Sequence, residues 1–144
     1  MAEALLRHID SRNFDAFSAG ITCQPVHPLS IEMMREIGVD LGTMVPKSID
    51  AIHDETFDFI ITLDDATAKL DTHLKAAETV HWKFENPAAA SNDIEQQRRA
   101  FRAVRDQIAQ RLRLFAIVHV RPTHSSERTR IAAAGRGNPV IQAS

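Results

Sequence analysis

The segment Phe57-Asp58-Phe59-Ile60-Ile61-Thr62-Leu63 constrains the fold more than any other part of the chain. It is short, mostly apolar, and rich in aromatic and β-branched residues. Such a run suits a strand buried on both faces, and strands of that kind belong to parallel sheets covered by helices. Parallel neighbours cannot be joined by a tight turn; they need crossover connections, usually helical. The chain must therefore alternate strands and helices, and its other segments read that way. Phe14 to Ile21 predicts a strand ending in a Ser18-Ala19-Gly20 turn. Leu29, Met33, Met34 and Ile37 recur at helical spacing after Pro28, and Gly38 stands where the helix should end. Ser48 predicts the cap of a short helix through Ile49 and Ile52. Asp65 to about Ala76 predicts another helix, and Thr79-Val80-His81-Trp82 another strand. Asn86 precedes Pro87 and is expected to be non-helical.

The clearest helix is the last. Ile94, Phe101, Val104, Ile108, Leu112 and Phe115 form one apolar stripe, and Arg98, Arg99, Arg102 and Arg105 are expected on a solvated face. Residues 116–120 suit either a short strand or a continuation of that helix. From Arg121 to Ser144 the chain is rich in Arg, Ser, Thr, Ala and Gly with one acidic residue, Glu127, which predicts a largely flexible extension over 116–144. Residues 2–8 predict a helix with no capping side chain before it.

Ligand sites in parallel α/β sheets gather where the strands end. That places Ser18-Ala19-Gly20, Asp64-Asp65 and Lys83 to Pro87 around one mouth. The formal net charge of −2 argues against a nucleic-acid or membrane-surface binder. No apolar run reaches the length of a membrane span, and a cytoplasmic location is expected. Cys23 is the single cysteine, so no Cys-x-x-Cys motif exists. The seven histidines show no metal-ligand spacing. Asp64 and Asp65 suit a strand end and helix cap better than a metal site. No cofactor, metal site or anion site is expected within these residues. Gly135-Arg136-Gly137 could touch an anion, but a linker is the default reading.

The ordered series of segments resembles the low-molecular-weight phosphotyrosine phosphatase family, and its arsenate-reductase branch best. Met1-Ala2-Glu3-Ala4-Leu5-Leu6-Arg7-His8 resembles the helix directly behind that family's phosphate loop. Phe17-Ser18-Ala19-Gly20, His27-Pro28-Leu29 through Leu41, Lys47-Ser48-Ile49-Asp50, Phe57 to Asp65, His81 to Ala88 and Phe101 to Asp106 resemble later segments in the same order. The resemblance covers residues 1–115. It implies a three-layer α/β/α fold with a small parallel sheet in family strand order 2-1-3-4. It also implies a thiolate in a Cys-x5-Arg loop that attacks a phosphoryl or arsenate centre, and an Asp before a proline as general acid.

This sequence departs from that pattern. The family's first strand and phosphate loop have no counterpart in it, and Cys23 is followed six positions later by Leu29 rather than by Arg. Asn86 stands at the general-acid position, and a carboxamide is no proton donor of useful pKa. The adjacent Glu85 is a weak substitute. Asp64 and Asp71 stand where the reductase branch carries relay cysteines. The expectation is a domain inactive as written, with phosphate or arsenate as ligand only if an upstream loop is restored. The alternative is a non-catalytic binding or regulatory protein retaining the scaffold. A nucleic-acid role for the arginine-bearing tail ranks below both, and the oligomeric state is open.

A missing central strand would leave its neighbours with unpaired backbone groups. Three explanations stand: a misassigned start codon, a degenerate remnant, or a replacement of the strand by residues 115–120 or by a partner chain. The first two are preferred on sequence grounds.

Overall fold

The computed structural model describes residues 1–52, 54–68, 74–120 and 128–135. In chain order it contains helix α1 (Ala2–Asp10), strand β1 (Phe14–Gly20), helix α2 (Pro28–Arg35) and a 3₁₀ turn (Ile49–Ile52). Strand β2 (Thr56–Thr62), helix α3 (Asp65–Ala68) and strand β3 (Lys75–His81) come next. A second 3₁₀ turn (Pro87–Ala89), helix α4 (Ile94–His119) and strand β4 (Thr129–Gly135) complete it. The four strands form one parallel sheet in the order β1-β4-β2-β3. Helices α1, α2 and α4 supply the core on one face, where Leu5, Leu6, Met33, Phe101 and Ile108 pack against Phe14, Ile61 and Ile131. The other face is covered by Ile49 and Ile52 of the first 3₁₀ turn, over Phe57, Ile60, Ala132 and Ala134. The parallel sheet and the layered α/β/α class expected from the sequence are both present.

The empty central slot is not. Thr129–Gly135 fills it, pairing with β1 from Phe14↔Thr129 to Gly20↔Gly135 and with β2 from Phe59↔Ile131 to Thr62↔Ala134. Residues 115–120, offered as a replacement in the least preferred of the three explanations, do not supply it, because they belong to α4 up to His119. The flexible extension expected over 116–144 is corrected only where it is described, at 116–119, which are helical, and at Thr129–Gly135, since β4 is the most enclosed strand of the sheet. Ala132 and Ala134 are fully buried on one face, and Ile131 and Ala133 are buried on the other. Arg130 fastens its start. The Arg130 backbone N–H donates to Asp58 Oδ2 at 2.8 Å, and the guanidinium donates to the Thr56 carbonyl at 3.0 Å and to Glu55 at 2.7 Å. The same guanidinium lies over the rings of Phe17 and Phe57, a favourable cation–π placement. Residues 121–127 and 136–144, with Gly135-Arg136-Gly137 beyond its first residue, lie outside the described residues.

Two helix boundaries also differ from expectation. Of the helix predicted over Asp65 to Ala76, α3 covers Asp65–Ala68, residues 69–73 lie outside the described residues, and Lys75 and Ala76 instead pair with Thr56 and Phe57 in β3. Ladder pairing to β2 outweighs the local helical preference of two residues. In α4, Ile94 is exposed rather than part of the stripe, being the first residue of the helix.

Arg105 is buried, contrary to its expected place on a solvated face. It sits four residues after Phe101 and three before Ile108, on the edge of the apolar stripe. Its donors are satisfied: Nη1 reaches the Met33 carbonyl at 2.8 Å and Glu36 at 3.0 Å, and Nε reaches Asp106 at 2.7 Å. A buried arginine persists only with such pairing. Arg102 forks onto the same Glu36 carboxylate at 2.9 and 2.6 Å, so one glutamate ties α2 to α4.

The hydrogen bond from Arg102, then that from Arg105, holds the Glu36 carboxyl at about 2, against an ordinary 4.5. A carboxyl depressed in the folded state contributes stability above its unfolded value and loses it as pH falls through its folded value. Glu36→Gln is therefore expected to flatten the acid limb of stability between about 4.5 and about 2. Urea midpoints across that window test it; parallel acid limbs in both proteins would refute it.

Candidate functional site

The strand ends build the mouth. Gly20 and Gly135 are register partners, and the Gly20 N–H donates to the Lys47 carbonyl at 2.9 Å. Past β4, the Leu63 N–H donates to the Ala134 carbonyl at 3.1 Å, and the Phe84 N–H to the Leu63 carbonyl at 3.3 Å. The three segments expected around one mouth thus meet at one edge of the sheet. They do so through β4, which the sequence did not suggest.

Each predicted residue among those described has a definite place. The Ser18 hydroxyl is buried and donates to Glu3, a buried carboxylate of α1 that also pairs with Arg7 at 2.6 Å. Asp64 Oδ1 accepts from the Thr67 N–H at 2.8 Å and from the Thr67 hydroxyl at 3.0 Å, which caps α3. Asp65 pairs with Lys83. That hydrogen bond, with the charge of Asp65, raises the exposed Lys83 ammonium above its ordinary pKa. Asn86 is extended, with φ −77° and ψ 106°, as expected before a proline. Its Oδ1 accepts from the Ala88 N–H at 3.0 Å and starts the 3₁₀ turn at Pro87. Glu85 is exposed beside it. Lys83, Glu85 and Asn86 line one wall of a groove of about 560 Å³, and Ala100, Ala103 and Gln107 of α4 line the other. Cys23 is exposed on the loop after β1, where its Sγ donates to the Pro46 carbonyl at 3.2 Å. Asp71 lies outside the described residues. Among the described residues, no three His, Cys, Asp or Glu side chains gather as a metal-binding group. No described helix is long and apolar enough to cross a membrane.

The sequence reading missed a polar pair at the mouth. Thr62, buried at the end of β2, lies 2.8 Å from His81 Nδ1 at the end of β3. The two are register partners, so only the alignment of the two strands could have found them. It also missed the role of His27. This ring caps α2 by accepting the Leu29 N–H at 3.1 Å on Nδ1 and stacks near Phe101, with ring centres 4.7 Å apart. Burial pushes the His27 pKa down, which favours the neutral ring that accepting requires.

Chemically, the mouth offers a hydroxyl–imidazole pair, an ammonium–carboxylate pair and a carboxamide. The strand at its centre ends in Ala133-Ala134-Gly135, which carries no nucleophile.

Residues 1–125 match the family model for low molecular weight phosphotyrosine protein phosphatase. An arsenate reductase of Oceanobacillus iheyensis is 34% identical over 117 residues, covering 81% of this chain and 84% of that protein. The arsenate reductases of Halalkalibacterium halodurans and Bacillus subtilis are 33% and 31% identical over the same shares. A solved structure of an arsenate reductase in its reduced state superposes with a TM-score of 0.66 at 24% identity. It covers 81% of this chain and 86% of that one, a likeness of fold.

Proposed function

Since the chain belongs to the low molecular weight phosphotyrosine protein phosphatase family, with arsenate reductases among its relatives, we propose that it keeps the scaffold of that family without thiolate chemistry and acts as a non-catalytic binding or regulatory protein. The observation that carries this reading is the position of the only thiol. Cys23 lies on an exposed loop, bonded to the Pro46 carbonyl, and not at the end of the central strand. Thiolate catalysis needs an amide cradle or a cationic neighbour to activate the sulfur and hold the oxyanion. The stretch Gln24-Pro25-Val26-His27-Pro28 after Cys23 supplies no arginine and contains two prolines, which have no N–H to donate. Asn86 supports the same reading, because its carboxamide caps a turn and has no acidic proton to give. A cytoplasmic location belongs to the proposal and is tested by cell fractionation.

The expected result is no turnover of p-nitrophenyl phosphate and no reduction of arsenate by this 144-residue chain, with Cys23→Ser indistinguishable from the parent. Turnover that disappears in Cys23→Ser would overturn the proposal.

A further inference from the structure

Helix α1 and strand β4 stand far apart in the sequence and side by side in the structure. Ala2, Glu3 and Leu6 of α1 line one small cavity with Ile131 and Ala133 of β4 and Ala16 of β1. The Arg7 guanidinium donates to the Ala16 carbonyl at 2.8 Å, and the Ser18 hydroxyl donates to Glu3. The helix thus lies across β4 and β1, which are parallel neighbours. Parallel neighbours are ordinarily joined by a helix that packs back over both, as one strand-helix-strand unit. Here all three parts of such a unit are in place. Only the sequence order is unusual, with α1 and β1 first and β4 last.

The sheet points the same way. Segments from α1 to α4 follow the family's order, and the family match over residues 1–125 stops before β4 starts at Thr129. With β1, β2 and β3 in the family's places 2, 3 and 4, the observed order β1-β4-β2-β3 gives β4 place 1 of 2-1-3-4. Its direction fits that place too, parallel to both neighbours. Behind Gly135 the sequence still holds nine residues, Arg136 to Ser144. Nine residues can reach about 30 Å when extended, ample for a loop from the end of a strand to the start of the helix packed on it.

We infer that this chain is a circular permutation of its family. On this reading β4 is the family's front strand carried at the back of the sequence, and β4-α1-β1 is one strand-helix-strand unit cut between Gly135 and Ala2. The consequence for the mouth is direct. Gly135 stands where the family's phosphate loop leaves the sheet, and Arg136 to Ser144 contains no cysteine. The permutation keeps the strand and not the thiol. The inference rests on family membership and is independent of the catalytic status of the mouth.

A rearranged gene tests it. The new chain starts at Arg121, runs to Ser144, continues directly into Met1 and ends at Val120, so every residue is kept and the opening lies between α4 and β4. Tolerance of new termini is common by itself, so the readouts are the direct join and the refolding rate. The expected result is the parent circular dichroism spectrum, with nuclear Overhauser contacts between Ile131 and Phe59 retained. The separation of the paired residues Phe14 and Thr129 falls about fourfold in the new order, so refolding should accelerate by at least about tenfold. A second copy with a long Gly-Ser linker between Ser144 and Met1 should have no higher denaturant midpoint than the direct join. Failure of both copies to fold would overturn the inference. So would a linker copy more stable than the direct join, loss of the Ile131-to-Phe59 contacts, or refolding no faster than that of the parent.

Discussion

Ending the chain at Val120 is expected to abolish cooperative unfolding altogether. The truncation removes β4, and with it the ladder partners of seven residues of β1 and four of β2. Those two strands do not pair with each other, so the sheet divides into a lone strand and a β2-β3 pair. Buried backbone groups without partners are costly. The hydrophobic loss adds to this: truncating the buried Ile131 to alanine alone should cost about 2–5 kcal/mol, out of a total stability of about 5–15 kcal/mol for a domain of this kind. Denaturant titration followed by circular dichroism measures the outcome. A sharp two-state transition in the truncated chain would show that β4 is dispensable. Arg130→Ala gives a graded version, because it removes two guanidinium hydrogen bonds and both ring contacts while leaving the ladder in place.

Phe101→Ala should cost about 3–5 kcal/mol. Phe101 is fully buried in the middle of the α4 stripe and touches the His27 ring that caps α2. The loss should be felt as a cavity in the main core and as a loosened α2. Hydrogen exchange at Leu29, whose N–H depends on the His27 ring, should accelerate beyond the change in global stability. Phe101→Leu, which keeps most of the volume, should lose far less. Equal losses for the two variants would mean that the site does not depend on packing.

Much of this was legible in the sequence, for identifiable reasons. The run ending in Leu63 declared a buried parallel strand through composition alone. The α4 stripe declared its face through spacing. The proline after Asn86 fixed the conformation of that residue, and the pair Asp64-Asp65 after a strand suited a cap, the role Asp64 has. Gly38, expected at the end of α2, follows it with φ +76°, a conformation open to glycine, as the Val39 N–H turns back to the Met34 carbonyl.

What was not legible depended on partners far away in the chain. Ile131-Ala132-Ala133-Ala134 has little strand propensity and sits among Arg, Ser and Thr. It is a strand because the slot between β1 and β2 demands one and because small side chains fit between two covered faces. Lys75 and Ala76 are strand for a similar reason. Arg105 looked like one of several surface arginines until Met33 and Glu36 were seen beneath it. The Thr62–His81 pair exists only once β2 and β3 are in register.

The position of β4 in the sequence has a consequence for biogenesis. Ribosomes deliver a chain from its N-terminus, so β1, β2 and β3 all emerge before the strand that joins them. Until Gly135 has cleared the exit tunnel, β1 and β2 each present an open edge with apolar residues on both sides, a template for pairing with any nearby strand. The closing contacts join residues near opposite ends of the chain, as Phe14 with Thr129, and such long-range closure is slow. The nascent chain must therefore wait, with its sheet in two pieces, and a stalled or prematurely terminated product would go to chaperones or proteases rather than to a folded pool.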